Sequence, residues 1–151
     1  MLSLNGTDPT SWTLYEFNYT AIYSSHTIVF GFKTNNNYSY YLDDVSVVDT
    51  NTTNIELLQN WNFDNSSTVA IDWTQWCGYT CNGSSGMITS SGNCYSGYCY
   101  VDNCYTLSNT GIDFIGQTFN ATIGFTYTIS FQLILIGSGS DTNNAFYADI
   151  I

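Results

Sequence analysis

Alternation of apolar and polar residues constrains the fold of this chain more than any other feature of its sequence. Over residues 126–133, TYTISFQL, every second residue is apolar and those between are Thr, Ser or Gln. A β-strand places successive side chains on opposite faces, so this segment predicts a strand with one face in a core. No window of eleven residues sustains the i, i+3, i+4, i+7 apolar stripe of a helix, and we expect almost no helix.

Further short runs rich in Val, Ile, Thr, Tyr and Phe alternate with clusters of Gly, Asn, Asp and Ser. This pattern is typical of antiparallel strands joined by tight turns. The predicted strands span residues 11–19, 25–33, 38–48, 55–58, 73–76, 98–101, 113–119, 126–136 and 146–151. The sequence therefore predicts an all-β, antiparallel β-sandwich.

Charge excludes two classes of partner. Lys33 is the only Lys or Arg against 12 acidic residues, which gives a net charge of −11. Nucleic-acid binding and attachment to anionic membranes both need clustered cations, so we expect neither. The longest aliphatic run, residues 133–136, is far shorter than the roughly 20 apolar residues of a membrane-spanning helix, and we expect no membrane span.

Five cysteines lie within 28 residues, interleaved with Gly, Ser, Asn and Tyr. They are Cys77, Cys81, Cys94, Cys99 and Cys104. No pair has the short CxxC spacing of a zinc knuckle, and the only His in the chain, His26, is distant in sequence, so disulfides are favoured over a metal thiolate site. Because five is odd, one thiol is free, buried or paired with another chain, and the connectivity stays open.

Seven Asn-x-Ser/Thr sequons, none with Pro in the middle, are candidate N-glycosylation sites. They begin at Asn5, Asn18, Asn37, Asn51, Asn65, Asn82 and Asn120. Most lie in polar strings that predict exposed turns with room for a glycan. Together with the cysteines they predict an extracellular protein carrying N-linked glycans. Residues 1–4 do not form a signal peptide, which predicts an excerpt or a processed product.

Several segments resemble one known family. Residues 12–21 (WTLYEFNYTA), 27–32 (TIVFGF) and 40–47 (YYLDDVSV) resemble the C-terminal half of galactose-binding-like jelly-roll domains of the carbohydrate-binding-module type. Residues 57–64, 72–74, 113–119 and 124–131 resemble the N-terminal half of the same family. The halves stand in swapped order: residues 1–48 form the usual C-terminal half, 49–54 a linker, and 55–151 the usual N-terminal half with a disulfide-rich loop.

Two explanations fit the swapped order. In the first, one molecule folds as a circular permutant, because the first and last strands of such sandwiches commonly lie side by side. In the second, the jelly-roll sandwich is completed by strands of neighbouring copies, either in a tandem array or in a polymer. The second is preferred because a freestanding permutant exposes unpaired sheet edges. Head-to-tail strand sharing that does not close generates a filament.

The same resemblance implies a structural calcium ion. In the family, an Asp-Asp segment, here Asp43 and Asp44, acts together with an acid after the first strand, here Asp64. Asp43 and Asp44 are adjacent on a strand and face opposite ways, so they cannot act as an acid/base pair on one substrate. His26 beside Ser25 does not make a catalytic triad either. We expect no enzymatic activity.

Aromatic residues are the remaining candidates for a binding site. Trp73, Trp76 and Tyr79 would offer flat apolar faces to sugar rings, as in carbohydrate-binding modules. The competing interpretation is that such residues fill the core or stack on the protein's own glycans. The leading functional hypothesis is a structural subunit of an extracellular, N-glycosylated filament or coat, with copies of itself as partners. The alternative is a lectin-like, carbohydrate-binding module.

Overall fold

The computed structural model describes residues 2–5, 8–34, 37–52, 55–77, 86–103, 111–138 and 143–151. Within these ranges the chain forms ten β-strands and no helix. The strands are β1 (Leu2–Asn5), β2 (Thr13–Thr20), β3 (Ser25–Lys33), β4 (Tyr38–Asp49), β5 (Thr74–Cys77), β6 (Met87–Thr89), β7 (Cys99–Asp102), β8 (Asp113–Asn120), β9 (Thr126–Gly137) and β10 (Ala145–Ile150). No helix in these ranges has the length and apolarity to cross a membrane.

The strands form two five-stranded sheets. The first sheet has the order β1-β10-β3-β8-β5, and the second has the order β2-β9-β4-β7-β6. Every strand pair in both sheets is antiparallel. The predicted fold class, an all-β antiparallel sandwich, is confirmed.

Strands from the two ends of the chain alternate within each sheet. In the first sheet, β3 lies between β10 and β8; in the second, β4 lies between β9 and β7. Residues before the 49–54 connection therefore pair with residues after it in the same molecule. This arrangement corresponds to the first of the two explanations for the swapped order, in which one chain closes on itself.

Large aromatic side chains fill the space between the sheets. Phe30 of β3 meets Phe131 of β9 edge to face, with ring centroids 5.0 Å apart, and Phe146 of β10 lies against both. All three are fully buried. They come from alternating positions on their strands, so one face of each strand supplies the core.

One predicted strand is replaced by a different structure. Residues 55–58 make only an isolated bridge, between Glu56 and Val48. The Glu56 carboxylate accepts hydrogen bonds from the backbone N–H groups of Val47, at 3.0 Å, and Leu58, at 2.9 Å. A side chain that satisfies these donors takes the place of a strand ladder. Two short strands, β1 and β6, were not predicted by the residue pattern.

Candidate functional site

A row of aromatic side chains crosses the outer face of the first sheet. Trp76 of β5 pairs with Phe114 of β8, Phe114 pairs with Gly31 of β3, and Gly31 pairs with Tyr147 of β10. Directly paired residues of neighbouring strands share one face of the sheet. The register therefore brings Trp76, Phe114 and Tyr147 onto one surface from distant parts of the chain.

Glycines form the floor beneath the two neighbouring rings. A Cβ on Gly31 would lie 2.9 Å from the ring of Phe114, and a Cβ on Gly116 would lie 3.0 Å from the ring of Trp76 and 2.7 Å from the carbonyl oxygen of Ile28. The two rings therefore lie over backbone that carries no side chain. This packing keeps the rings close to the sheet instead of letting them project away from it.

The result is an open groove of about 420 Å3. Trp76 and Phe114 stack along it with ring centroids 5.7 Å apart and planes 14° from parallel. Val29, Ile112 and Tyr147 add mostly apolar surface. We call this surface the Trp76 groove. Trp76 is 39% exposed, so much of the indole is open to a ligand.

One carboxylate, that of Asp149, lies among the described residues that line the Trp76 groove. Its Oδ1 accepts a hydrogen bond from the backbone N–H of Ile150 at 3.0 Å. The oxygens of a carboxylate can each accept more than one hydrogen bond, so Asp149 is also able to accept from a ligand hydroxyl. The groove therefore combines a stacking surface with a polar acceptor.

The outer face of the second sheet is polar where β2 pairs with β9. Glu16 and Asn18 of β2 pair with Ser130 and Thr128 of β9 on this face, and the Thr128 hydroxyl donates to Asn18 Oδ1 at 3.1 Å. This part of the face is polar and includes a sequon asparagine. Elsewhere the same face carries apolar side chains that are paired across β6, β7, β4 and β9, namely Met87, Val101, Tyr41 and Ile134.

The predicted sugar-contacting residues are placed differently from one another. Trp76 lies in the groove. Trp73 is a core residue, 8% exposed, with its ring 5.1 Å from that of Phe63 and its Nε1–H donating to the Asn60 carbonyl at 3.1 Å. Its indole is covered by protein and does not offer a free face. Tyr79 lies outside the described residues.

Sequence reasoning missed Phe114, Gly31 and Tyr147 as parts of this surface. Each lies on a segment that had been predicted to be a strand, yet nothing local marks the outer face as a site. The signal is the pairing between strands, which joins residues more than 80 positions apart. That pairing is a property of the assembled sheet rather than of any one segment.

The predicted calcium residues lie near a bulge in β4. The register between β4 and β9 shifts between Asp43 and Ser46, and Asp44 adopts a positive φ of 47°. Asp43 Oδ1 accepts from the Asp44 N–H at 2.8 Å, and its Oδ2 accepts from the Ser96 N–H at 3.0 Å. Asp64 Oδ1 accepts from the Tyr98 N–H at 2.8 Å. Two carboxylates thus hold the backbone of the same loop.

Burial raises the pKa values of Asp43 and Asp44. Desolvation raises the pKa of Asp43 to about 7, although the N–H groups of Ser96 and Asp44 act against that rise. Desolvation also raises the pKa of Asp44, with a smaller contribution from the charge of Asp64. The charges of Asp44 and Asp64 raise the pKa of Asp43 further.

A calcium ion needs six to eight oxygens that converge on one point. In the described ranges, no group of three or more His, Cys, Asp or Glu side chains has an arrangement that would hold a metal ion. The Asp43 oxygens face backbone donors, and Asp64 Oδ2 accepts from Asn62 Nδ2 at 2.8 Å. As arranged, these oxygens accept from backbone and amide N–H groups, and calcium binding stays a prediction of the family resemblance.

The structure contains a disulfide between Cys94 and Cys99. Cys77 is the last residue of β5, while Cys81 and Cys104 lie outside the described residues. The disulfide closes the loop that Asp43 and Asp64 hold. That loop carries Tyr95, whose ring meets Trp12 edge to face at 5.7 Å.

The sequon asparagines whose side chains are described are all exposed: Asn18, Asn37, Asn51, Asn65 and Asn120. Asn5 ends β1, and Asn82 lies outside the described residues. An exposed asparagine leaves room for a bulky glycan on the folded protein.

His26 is buried and hydrogen bonded. It accepts from the Tyr23 N–H at 3.2 Å through Nε2, and the Tyr19 hydroxyl lies 3.2 Å from Nδ1. The ring also meets Tyr19 edge to face. These contacts give His26 a structural role next to the β2–β3 turn.

No protein-family model, no curated protein and no solved structure matches this chain.

Proposed function

We propose that this protein is an extracellular, N-glycosylated, carbohydrate-binding module that binds neutral glycans in the Trp76 groove. The observation that carries the proposal is the row of Trp76, Phe114 and Tyr147 on the outer face of the first sheet. The swapped family halves support it as well, since they resemble a carbohydrate-binding jelly roll.

The chemistry of the groove favours sugars. The C–H face of a pyranose ring stacks on an aromatic face, while its hydroxyls need polar acceptors at the edge of the contact. Trp76 and Phe114 offer nearly parallel rings, and Asp149 offers a carboxylate.

The charge of the protein narrows the ligand class further. The net charge is −11, and the carboxylate of Asp149 lies in the groove. Uronate and sulfated polysaccharides would be repelled by these charges. The expected ligand is therefore an uncharged glycan that presents an extended apolar face.

Two further observations support the extracellular part of the proposal. The Cys94–Cys99 disulfide is of a kind that persists in oxidising compartments. Five sequon asparagines with described side chains are exposed. Both features fit a protein made in the secretory pathway.

The test compares two tryptophan variants. Trp76→Ala removes the centre of the groove, whereas Trp61→Ala removes a tryptophan of nearly equal exposure, 40% against 39%, that does not line it. Binding to a panel of neutral and acidic polysaccharides is measured by affinity gel electrophoresis and calorimetry. We expect retention by a neutral polysaccharide that Trp76→Ala abolishes and Trp61→Ala preserves.

Two results would contradict the proposal. One is wild-type protein that binds no member of the panel; the other is equal loss of binding in both variants. Circular dichroism of each variant checks that the fold is intact.

A filament subunit is the second candidate, favoured by one specific observation. Strand β2, eight residues long, pairs with β9 on one side and with no other strand in the described ranges. A long sheet edge of this kind can accept a strand from another copy. Denaturing, reducing mass spectrometry combined with light scattering of the native protein distinguishes covalent arrays, non-covalent polymers and monomers.

A further inference from the structure

A second groove, of about 270 Å3, lies at the end of the sandwich where the chain passes from β8 to β9. Asn120 and Thr122, the two residues that define one sequon, both line it. Asp49, the last residue of β4, also lines it, together with Ile55 and Leu57 from the segment that follows. A sugar linked to Asn120 would therefore begin beside this groove.

We propose that the glycan on Asn120 packs its first N-acetylglucosamine into this groove, against Ile55 and Leu57, and becomes a structural part of the fold. The inference rests on the glycosylation included in the proposed function. It does not depend on ligand binding in the Trp76 groove, which lies at a different place on the molecule.

The acceptor is presented in a defined position. Asn120 is the last residue of β8 and is exposed. The Thr122 N–H donates to the Tyr127 hydroxyl at 2.8 Å, and the Phe125 N–H donates to the Thr122 carbonyl at 3.0 Å. Gly124 has a φ of +83°, as a tight turn at this point requires. The sequon is thus held at the mouth of the groove.

The opposite wall offers apolar surface to the sugar. Ile55 is 61% exposed, which leaves much of a large aliphatic side chain in water. Leu57 is half-buried, and its N–H donates to the Val47 carbonyl at 3.0 Å, so this wall is fixed to β4. The C–H groups and acetamide methyl of N-acetylglucosamine can cover such a surface.

Covalent attachment to Asn120 favours this glycan over other occupants of the groove. A sugar bonded to Asn120 is held beside the groove at high effective concentration, whereas a free ligand or a second copy would have to bind from solution. Asp49 also lines the groove. Its Oδ1 accepts from the backbone N–H of Asn51 at 2.8 Å and from Asn51 Nδ2 at 3.2 Å, so its other oxygen is the acceptor for a sugar hydroxyl or the acetamide N–H.

The experiment uses the full chain secreted from a eukaryotic host. Glycopeptide mass spectrometry gives the occupancy of each sequon. The melting temperature is then measured for intact protein, for protein trimmed by an endoglycosidase to one N-acetylglucosamine per site, and for protein stripped by a glycoamidase. We expect the first two to melt together and the third to melt roughly 2–4 °C lower, the shift that a modest loss of contact gives in a domain of this size.

Variants assign the effect to this site. Asn120→Gln and Thr122→Ala both remove the glycan and should each lower the melting temperature of the intact protein. Asn65→Gln removes another exposed sequon asparagine, outside the groove, and should not. Ile55→Ser alters only an exposed side chain. In the Ile55→Ser background, Asn120→Gln should no longer lower the melting temperature.

Three results would overturn the inference. An occupied Asn120 whose removal leaves the melting temperature unchanged would show that the glycan does not pack in the groove. An unoccupied Asn120 with other sequons occupied would overturn it while leaving the glycoprotein proposal intact. Protein without glycan at any sequon would overturn both, and the Trp76→Ala binding test would still stand separately.

Discussion

The carboxylate of Asp43 accepts a hydrogen bond from the backbone N–H of Ser96 at 3.0 Å. This contact joins the bulged middle of β4 to the loop closed by the Cys94–Cys99 disulfide. Asp43 is fully buried, and its pKa is raised to about 7, chiefly by desolvation. A buried acid that titrates near neutrality makes the stability of this region depend on pH.

The first prediction concerns that dependence. The unfolded chain releases the Asp43 proton near pH 3.8, whereas the folded protein keeps it until about pH 7. The folded state thus binds more protons between these values, so the contribution of Asp43 to stability is fully present below pH 3.8 and is lost as pH rises towards 7. Between these two pH values, this contribution to the free energy of unfolding changes by about −1.4 kcal/mol per pH unit.

Urea unfolding of wild-type protein and Asp43→Asn across this pH interval, in buffer with a chelator, measures the effect. We expect the free energy of unfolding to fall with rising pH more steeply in the wild type than in the variant. Parallel curves would contradict the prediction.

The second prediction tests the calcium ion implied by the family resemblance. If Asp43, Asp44 and Asp64 bind calcium, saturating calcium raises the melting temperature by mass action relative to protein in chelator. Asp44→Asn should then remove the rise, and it is a mild change for the backbone because Asn tolerates the positive φ of this position. An unchanged melting temperature in wild-type protein would exclude a stabilising calcium site.

The third prediction concerns the Cys94–Cys99 disulfide. Its cysteines are separated by five positions, so the loop that it closes is short. A loop of this length predicts a loss of about 2 kcal/mol in the free energy of unfolding when both cysteines are replaced by serine. Denaturant unfolding measures this loss, and the tryptophan emission reports the contact between Trp12 and Tyr95. A double variant as stable as wild type would show that Asp43 and Asp64 hold the loop without the crosslink.

The fourth prediction concerns the glycine floor of the Trp76 groove. A Cβ at Gly116 would lie 2.7 Å from the Ile28 carbonyl oxygen, which is backbone and cannot move freely. Gly116→Ala should therefore cost about 1–3 kcal/mol of stability and displace the Trp76 ring. Gly92→Ala is the matched control, because a Cβ there has nothing within 4 Å. Equal stability of the two variants would contradict the packing described here.

Local pattern predicted the long strands well because they carry their own signal. Strand β3 spans the predicted residues 25–33, and β9 extends the predicted 126–136 by one residue. In both, alternation over many residues defines the core face, which the assembled sandwich then buries. Strands β1 and β6 are too short for alternation to be recognised, and they form only because a neighbouring strand supplies the partner.

The candidate site shows the opposite limit. Trp76 was a candidate only because it is an aromatic residue. Trp73, three residues earlier, was a candidate for the same reason, yet it lies in the core. Because they are three residues apart, Trp73 and Trp76 lie on opposite faces of the sheet. Which of the two faces the core is known only once the position of β5 is known. Phe114 and Tyr147 join Trp76 through the register of the first sheet, which depends on pairings between distant segments.

The order of strands also bears on how the molecule folds. The central strands of the two sheets are β3 and β4, and their flanking partners, β7, β8, β9 and β10, all lie at residue 99 or beyond. Contacts between such distant segments make folding slow, and during that time apolar strands stay exposed to solvent. Until these partners pair with them, β3 and β4 expose apolar faces and unpaired edges, so a chaperone that shields such strands should raise the yield of native protein.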